Sequence, residues 1–156
     1  MKNRLVQLSI LLIAFLALFA CGNTMIAPSA EVNYLSGDNK TVTVRATGVG
    51  NNEQDAVYYA ETNAFDVILF RGLPGSNQSV ALIGSNEIEL KQKFQDYFNT
   101  FYNNLRYRTF IMSSVAMSDV IKLRGGGNSI TLDIKINIYA LRRDLEESGI
   151  IQGFGF

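Results

Sequence analysis

Cys21 is the one thiol in the chain, and there is no histidine. Without histidine, the commonest general base, metal ligand and near-neutral proton switch are all missing. A single cysteine cannot close an intramolecular disulfide, and a Cys/His zinc site has too few ligands. A Ser/Lys hydrolase would need a serine beside a lysine stripped of water. Lys135 shares the polar face of an alternating run with Asp133, and Asp119 stands nearby. Alternation turns Lys135 toward solvent, which argues against such a pair. These residues predict no catalytic group, no metal and no cofactor.

Four other groupings could bind rather than react. Gly48-Val49-Gly50 before a helix suggests phosphate at a helix N-terminus. The third glycine of a dinucleotide fingerprint is replaced by Glu53, whose charge repels phosphate, so a plain strand-to-helix turn is favoured. Arg71-Gly72-Leu73-Pro74-Gly75-Ser76 either ends a helix or forms a rigid turn presenting Arg71 and Leu73 to a partner. Tyr58, Tyr59, Tyr97, Tyr102 and Tyr107 either line a groove for glycan or peptide or edge the core. The terminal Phe154-Gly155-Phe156 either packs on the domain or docks into a neighbouring molecule.

The elements that carry these groups follow from periodicity. Lys40–Gly50 alternates Val42, Val44 and Ala46 against Thr41, Thr43, Arg45 and Thr47, a half-buried strand. Asn51-Asn52 can cap a helix over Asn52–Phe70, in which Ala56, Ala60, Ala64 and Ile68 make a stripe of mostly small side chains. Val80–Ile83 reads as either a brief strand or a buried loop. An amphipathic helix over Asn86–Asn103 carries Ile88, Phe94, Tyr97, Phe98 and Phe101. Strands are expected at Tyr107–Ala116, at Ser118–Arg124 as its continuation after a bulge, and at Ile130–Ile138, where isoleucine and leucine alternate with polar residues. Gly125-Gly126-Gly127-Asn128 supplies the hairpin between the last two. A short helix over Leu141–Ser148 stops at Gly149. The sum is an α+β fold: an antiparallel sheet of three to four strands, two main helices on one face and a short C-terminal helix.

The first residues have a different character. Lys2 and Arg4 precede a nearly unbroken apolar run from Leu5 to Ala20, the charged start and apolar centre of an export signal. The run is short for a spanning helix, which needs about 20 residues. It ends in Leu18-Phe19-Ala20-Cys21-Gly22, which resembles the lipobox of bacterial lipoproteins, with Cys21 as the acylated residue. Removal of residues 1–20 leaves slightly more acidic than basic groups, so nucleic acid is an improbable partner. Residues 21–39 read as a flexible tether and 40–156 as one domain. Gly22 after the cysteine implies, by resemblance to lipoprotein sorting rules, the outer membrane facing the periplasm.

A second resemblance rests on Val44-Arg-Ala-Thr-Gly48-Val-Gly50 with Ala56, Ala60 and Ala64 on the following helix. This unit resembles the N-terminal domain of flagellar assembly protein T and related small outer-membrane lipoproteins, and more remotely the curli-secretion pore lipoprotein. The resemblance implies a compact α+β envelope domain that binds or assembles, with no catalytic residue. The expected role is thus non-enzymatic: membrane attachment through an N-terminal lipid, and a protein partner or self-association. A ligand-binding module for glycan or peptide is the alternative, and an enzyme the third.

Overall fold

A computed structural model describes residues 31–153. The signal, Cys21 and Phe154–Phe156 lie outside the described residues. The chain runs β1 (Val32–Gly37), β2 (Thr41–Gly50), α1 (Glu53–Phe70), α2 (Glu87–Lys93), α3 (Gln95–Phe98), a π turn (Asn99–Asn103), a 3₁₀ turn (Arg106–Phe110), β3 (Ile111–Ala116), β4 (Ile121–Lys122), β5 (Asn128–Asn137) and α4 (Ile138–Glu147). The strands form one antiparallel sheet in the order β1-β2-β5-β3, with β4 continuing β3 along the edge of β5. The fold is α+β, as the periodicity predicts.

The two long strands set the frame. Val42, Val44 and Ala46 of β2 lie on the same buried face as Ile130, Leu132, Ile134 and Ile136 of β5. On the opposite face Arg45 pairs in register with Asp133, and the hydroxyls of Thr47 and Thr131 meet at 3.0 Å. Alternation has sorted one face into core and the other into cross-strand polar pairs. The side chain of Asn52 accepts the Asp55 backbone N–H and starts α1, while Glu53 and Asp55 stand where the helix dipole favours acid.

α1 packs across β2 and β5. Ala56, Ala60 and Ala64 are fully buried beneath it. The approach is close enough that a Cβ on Gly48 would sit 2.0 Å from the Ala56 carbonyl oxygen and 2.2 Å from the Ala60 nitrogen. Gly48 and the alanine stripe are thus two halves of one contact, and the phosphate-loop alternative has no room.

Several expected boundaries move. The tether does not reach residue 39, because Val32–Gly37 is an edge strand on β2 and belongs to the folded domain. Asp38 turns the chain, its Oδ1 accepting the backbone N–H groups of Lys40 and Thr41 at 2.7 Å. Val80–Ile83 is an irregular loop rather than a strand, with Leu82 buried and Val80 74% exposed, in which the N–H groups of Leu82 and Ile83 satisfy the Ile68 and Leu69 carbonyls at the end of α1. The helix expected over Asn86–Asn103 breaks at Phe94 and finishes as a π turn, leaving Ile88 exposed. This segment leans on α1 through the Phe98–Phe70 and Phe101–Phe65 ring pairs, so it is not a second unbroken rod. The strand expected at Tyr107–Ala116 starts only at Ile111, because Tyr107 and Phe110 turn into the core. Ile138 closes β5 by starting α4, capped by the Asn137 side chain on the Ala140 N–H.

Candidate functional site

The tyrosines are mostly spoken for by the fold. Tyr97 donates its hydroxyl to Asp144 at 2.8 Å, Tyr102 to Asp66 at 2.5 Å and Tyr107 to Glu61 at 2.9 Å. Each carboxylate also meets a cation: Arg106 on Asp144, Lys91 on Asp66 at 3.2 Å, and Arg108 on Glu61 at 2.8 Å. These three acid–phenol–cation clusters bind the aromatic segment to α1 and α4. Burial first, then the adjoining carboxylate, pushes the Tyr97, Tyr102 and Tyr107 hydroxyls above the ordinary phenol range. Burial likewise raises Tyr58, which packs edge-on against Tyr59 and Tyr107. Tyr97 and Tyr102 therefore do not offer free hydroxyls to a glycan; Tyr59, 48% exposed, is the outward member of the expected aromatic surface.

The loop at Arg71–Ser76 also resolves toward structure. Leu73 is 1% exposed and belongs to the core, so it is not presented to a partner. Gly72 takes a positive φ of 80°, and a Cβ there would lie 2.4 Å from the Ser79 carbonyl oxygen. Arg71 reaches Glu87 at 3.8 Å, Pro74 and Gly75 are exposed, and the Ser76 hydroxyl donates to the Leu73 carbonyl at 2.7 Å.

Asp133 is gripped by Arg45 through two bonds of 2.7 and 2.8 Å. That guanidinium holds its carboxyl below the usual carboxylate range. Lys135 lies opposite Ser113 in the register, and both side chains are exposed to water. Asp119 sits exposed in the connection between β3 and β4. Among the described residues no group of three His, Cys, Asp or Glu could hold a metal ion.

Two surface features remain. The first is the free edge of the sheet. α1 covers β2 and β5, while Met112–Ala116 of β3 is exposed throughout. Ser114 and Ala116 pair with Ile134 and Leu132, on the side that is buried elsewhere in the sheet, yet both are exposed. Met112, Val115, Met117 and Ile121 add apolar surface along the same edge. No charged residue occurs from Thr109 to Ser118.

The second is a small cleft of about 120 Å³ between the β1–β2 turn, the loop after Gly75 and the start of α4. It is lined by Tyr34, Asp38, Asn39, Asn77, Gln78 and Arg142, among others. The cleft was not visible in local sequence, since it is assembled from segments far apart in the chain, and the place of β3 at the sheet edge depends on which strands pair. Compared with models of protein families, with curated proteins and with solved structures, the chain has no match.

Proposed function

We propose that the chain is a lipid-anchored envelope protein whose domain serves assembly rather than catalysis. The anchor rests on Cys21, the sole thiol, standing where the lipobox pattern requires it. Two or more acyl chains hold a protein on a membrane stably where one does not. The outer membrane facing the periplasm is the address, from Gly22 and the resemblance to small outer-membrane lipoproteins.

The observation that carries the assembly role is β3. Edge strands of soluble proteins are commonly protected by charge, proline or a cover. This one has neither charge nor proline, and Met112–Ala116 is open to water. A bulge between Ile111 and Ser113 and the break before β4 are its protections. The occupant is the β3 edge of a second copy: an uncharged strand meets itself without like-charge repulsion. A six-residue strand pair is a small interface, so pairing is weak in solution. Shared tethering to one membrane raises the effective concentration and favours it.

Acylation of Cys21 leaves an engineered cysteine as the lone free thiol, which gives a clean test. Ser113→Cys, Ser114→Cys and Ala116→Cys, expressed singly in membranes under mild oxidation, are expected to give disulfide-linked dimers in at least one register. Thr43→Cys on the inner strand β2 is expected to give none. Monomers throughout, or equal crosslinking from position 43, would contradict pairing at β3.

A further inference from the structure

The described arginines divide by what they touch. Arg45, Arg71, Arg106, Arg108 and Arg143 each sit against a carboxylate. Arg124 projects from the exposed hairpin. Arg142 differs from both kinds: it is half-buried, it lines the cleft, and it has no hydrogen-bond or ion-pair partner among the described residues. An arginine that lines a concave surface with no anion partner among the described residues is open to an added oxyanion. Its fork of donors fits an oxyanion with two parallel bonds.

The neighbours of Arg142 in the cleft, Asp38, Asn39 and Asn77, are exposed side chains with donors and acceptors that the described residues leave to water. Asp38 spends Oδ1 on three bonds, from the backbone N–H groups of Lys40 and Thr41 and from the Thr41 hydroxyl. Its Oδ2 accepts nothing from the described residues. Asn77 donates to the Asn39 side-chain oxygen at 3.0 Å, which leaves the Asn39 amide as donor and the Asn77 carbonyl as acceptor. The space is small. At about 30 Å³ per water it holds about four waters, and drug-sized ligands need roughly 300–1,000 Å³.

From these valences we infer that the cleft is a binding site for a small monocarboxylate that also bears a hydrogen-bond donor, as in an amino acid, a hydroxy acid or the carboxyl end of a peptide. Arg142 takes the carboxylate. Asp38 Oδ2 and the Asn77 carbonyl take the donor group. A phosphate fits less well, because its second negative charge would face Asp38, whose carboxyl is held low by the Lys40 and Thr41 N–H groups. This assignment is independent of β3 and of the anchor, and it stands whichever of those fails.

The test is an amide and guanidinium NMR titration of the ¹⁵N-labelled full chain in detergent micelles. The probes are glycine, L-lactate, triglycine, triglycine amide and inorganic phosphate. Glycine, lactate or triglycine is expected to shift the Arg142 Nε–H and the Asn39 side-chain amide saturably. Tighter binding of triglycine would assign the source as a peptide end, and tighter binding of glycine or lactate a free acid. The amide, which lacks the carboxylate, is expected to cause no shift. Arg142→Gln should weaken binding by roughly tenfold or more, the loss expected for a charge-assisted pair. Arg142→Lys should recover part of it, and unchanged core resonances in both variants report an intact fold. Absence of saturable shifts, equal binding by Arg142→Gln, or tighter binding of phosphate than of every carboxylate would overturn the assignment.

Discussion

At the scale of single residues, the polar interior is organised by phenols and the fit of α1 by one hydrogen atom. Tyr97, Tyr102 and Tyr107 each bring a carboxylate and a cation together in partly buried positions, and Tyr58 packs beside them. All four phenols hold their protons more tightly in the fold than at the ordinary value near 10. The linkage then has a definite sign. Below pH 10 both states keep the protons and the stabilisation is whole; above it the unfolded chain loses them first, and stability falls as pH rises. Urea melts between pH 9 and pH 11 are expected to show a steep alkaline loss, and phenolate absorbance from these four to lag until unfolding. A flat profile would mean that the clusters do not form. Tyr107→Phe leaves Glu61 with Arg108 alone and is expected to cost about 1–2 kcal/mol. Gly48→Ala places a methyl into the backbone of α1, so a loss of about 1–3 kcal/mol or more is expected from overpacking. Both values can be read from urea midpoints.

At the scale of elements, what could be read from sequence depended on whether a segment met one neighbour or several. β2 and β5 were legible because each has a single buried face, and Val42-Val44-Ala46 and Ile130-Leu132-Ile134-Ile136 obey period two. The start of α1 was legible from Asn52, and the hairpin from its glycines, which take φ values of 92–102°. β1 is not legible from period because Val32-Asn33-Tyr34-Leu35-Ser36-Gly37 is mostly exposed. Asp38-Asn39 beside Gly37 was the signal that could have marked its hairpin. The apolar spacing after Asn86 predicts one rod because it carries no sign of a break at Phe94 or a π turn. That turn sends Phe101 into the core and the Tyr102 hydroxyl to Asp66, a residue 36 positions away. The same distance in sequence hid the clusters: period analysis shows where a tyrosine lies on a helix, not which acid will meet it. Leu105 adds a backbone reversal at φ 58° without a glycine. Leu105→Gly is expected to stabilise by up to about 1 kcal/mol by removing left-handed strain, measured by thermal melting.

β3 belongs to the same scale. It pairs with β5 alone and leaves its other edge open. A charge placed there, as in Val115→Lys, touches no core atom, so stability should change by no more than about 0.5 kcal/mol. Combined with Ser114→Cys, the same charge is expected to abolish crosslinking by repulsion across the two-fold pair. Persistent dimers in that double variant would assign the contact to another surface.

At the scale of the whole molecule, the proposal joins a lipid-bearing start to a domain whose sequence-visible polar groups are largely engaged in holding it together. Asp66, Asp133, Asp144 and Glu61 all have cations, and Lys135 lies in water beside Ser113. Among the described residues, the Arg142 cleft and the β3 edge are the two open features to which the proposals assign a partner, a small acid and a second copy. Intact-mass spectrometry of the native protein from a membrane fraction tests the anchor directly. The account predicts a chain beginning at Cys21 and carrying acyl mass on that residue. A chain that retains residues 1–20, or begins at Cys21 with an unmodified sulfur and amine, would contradict it.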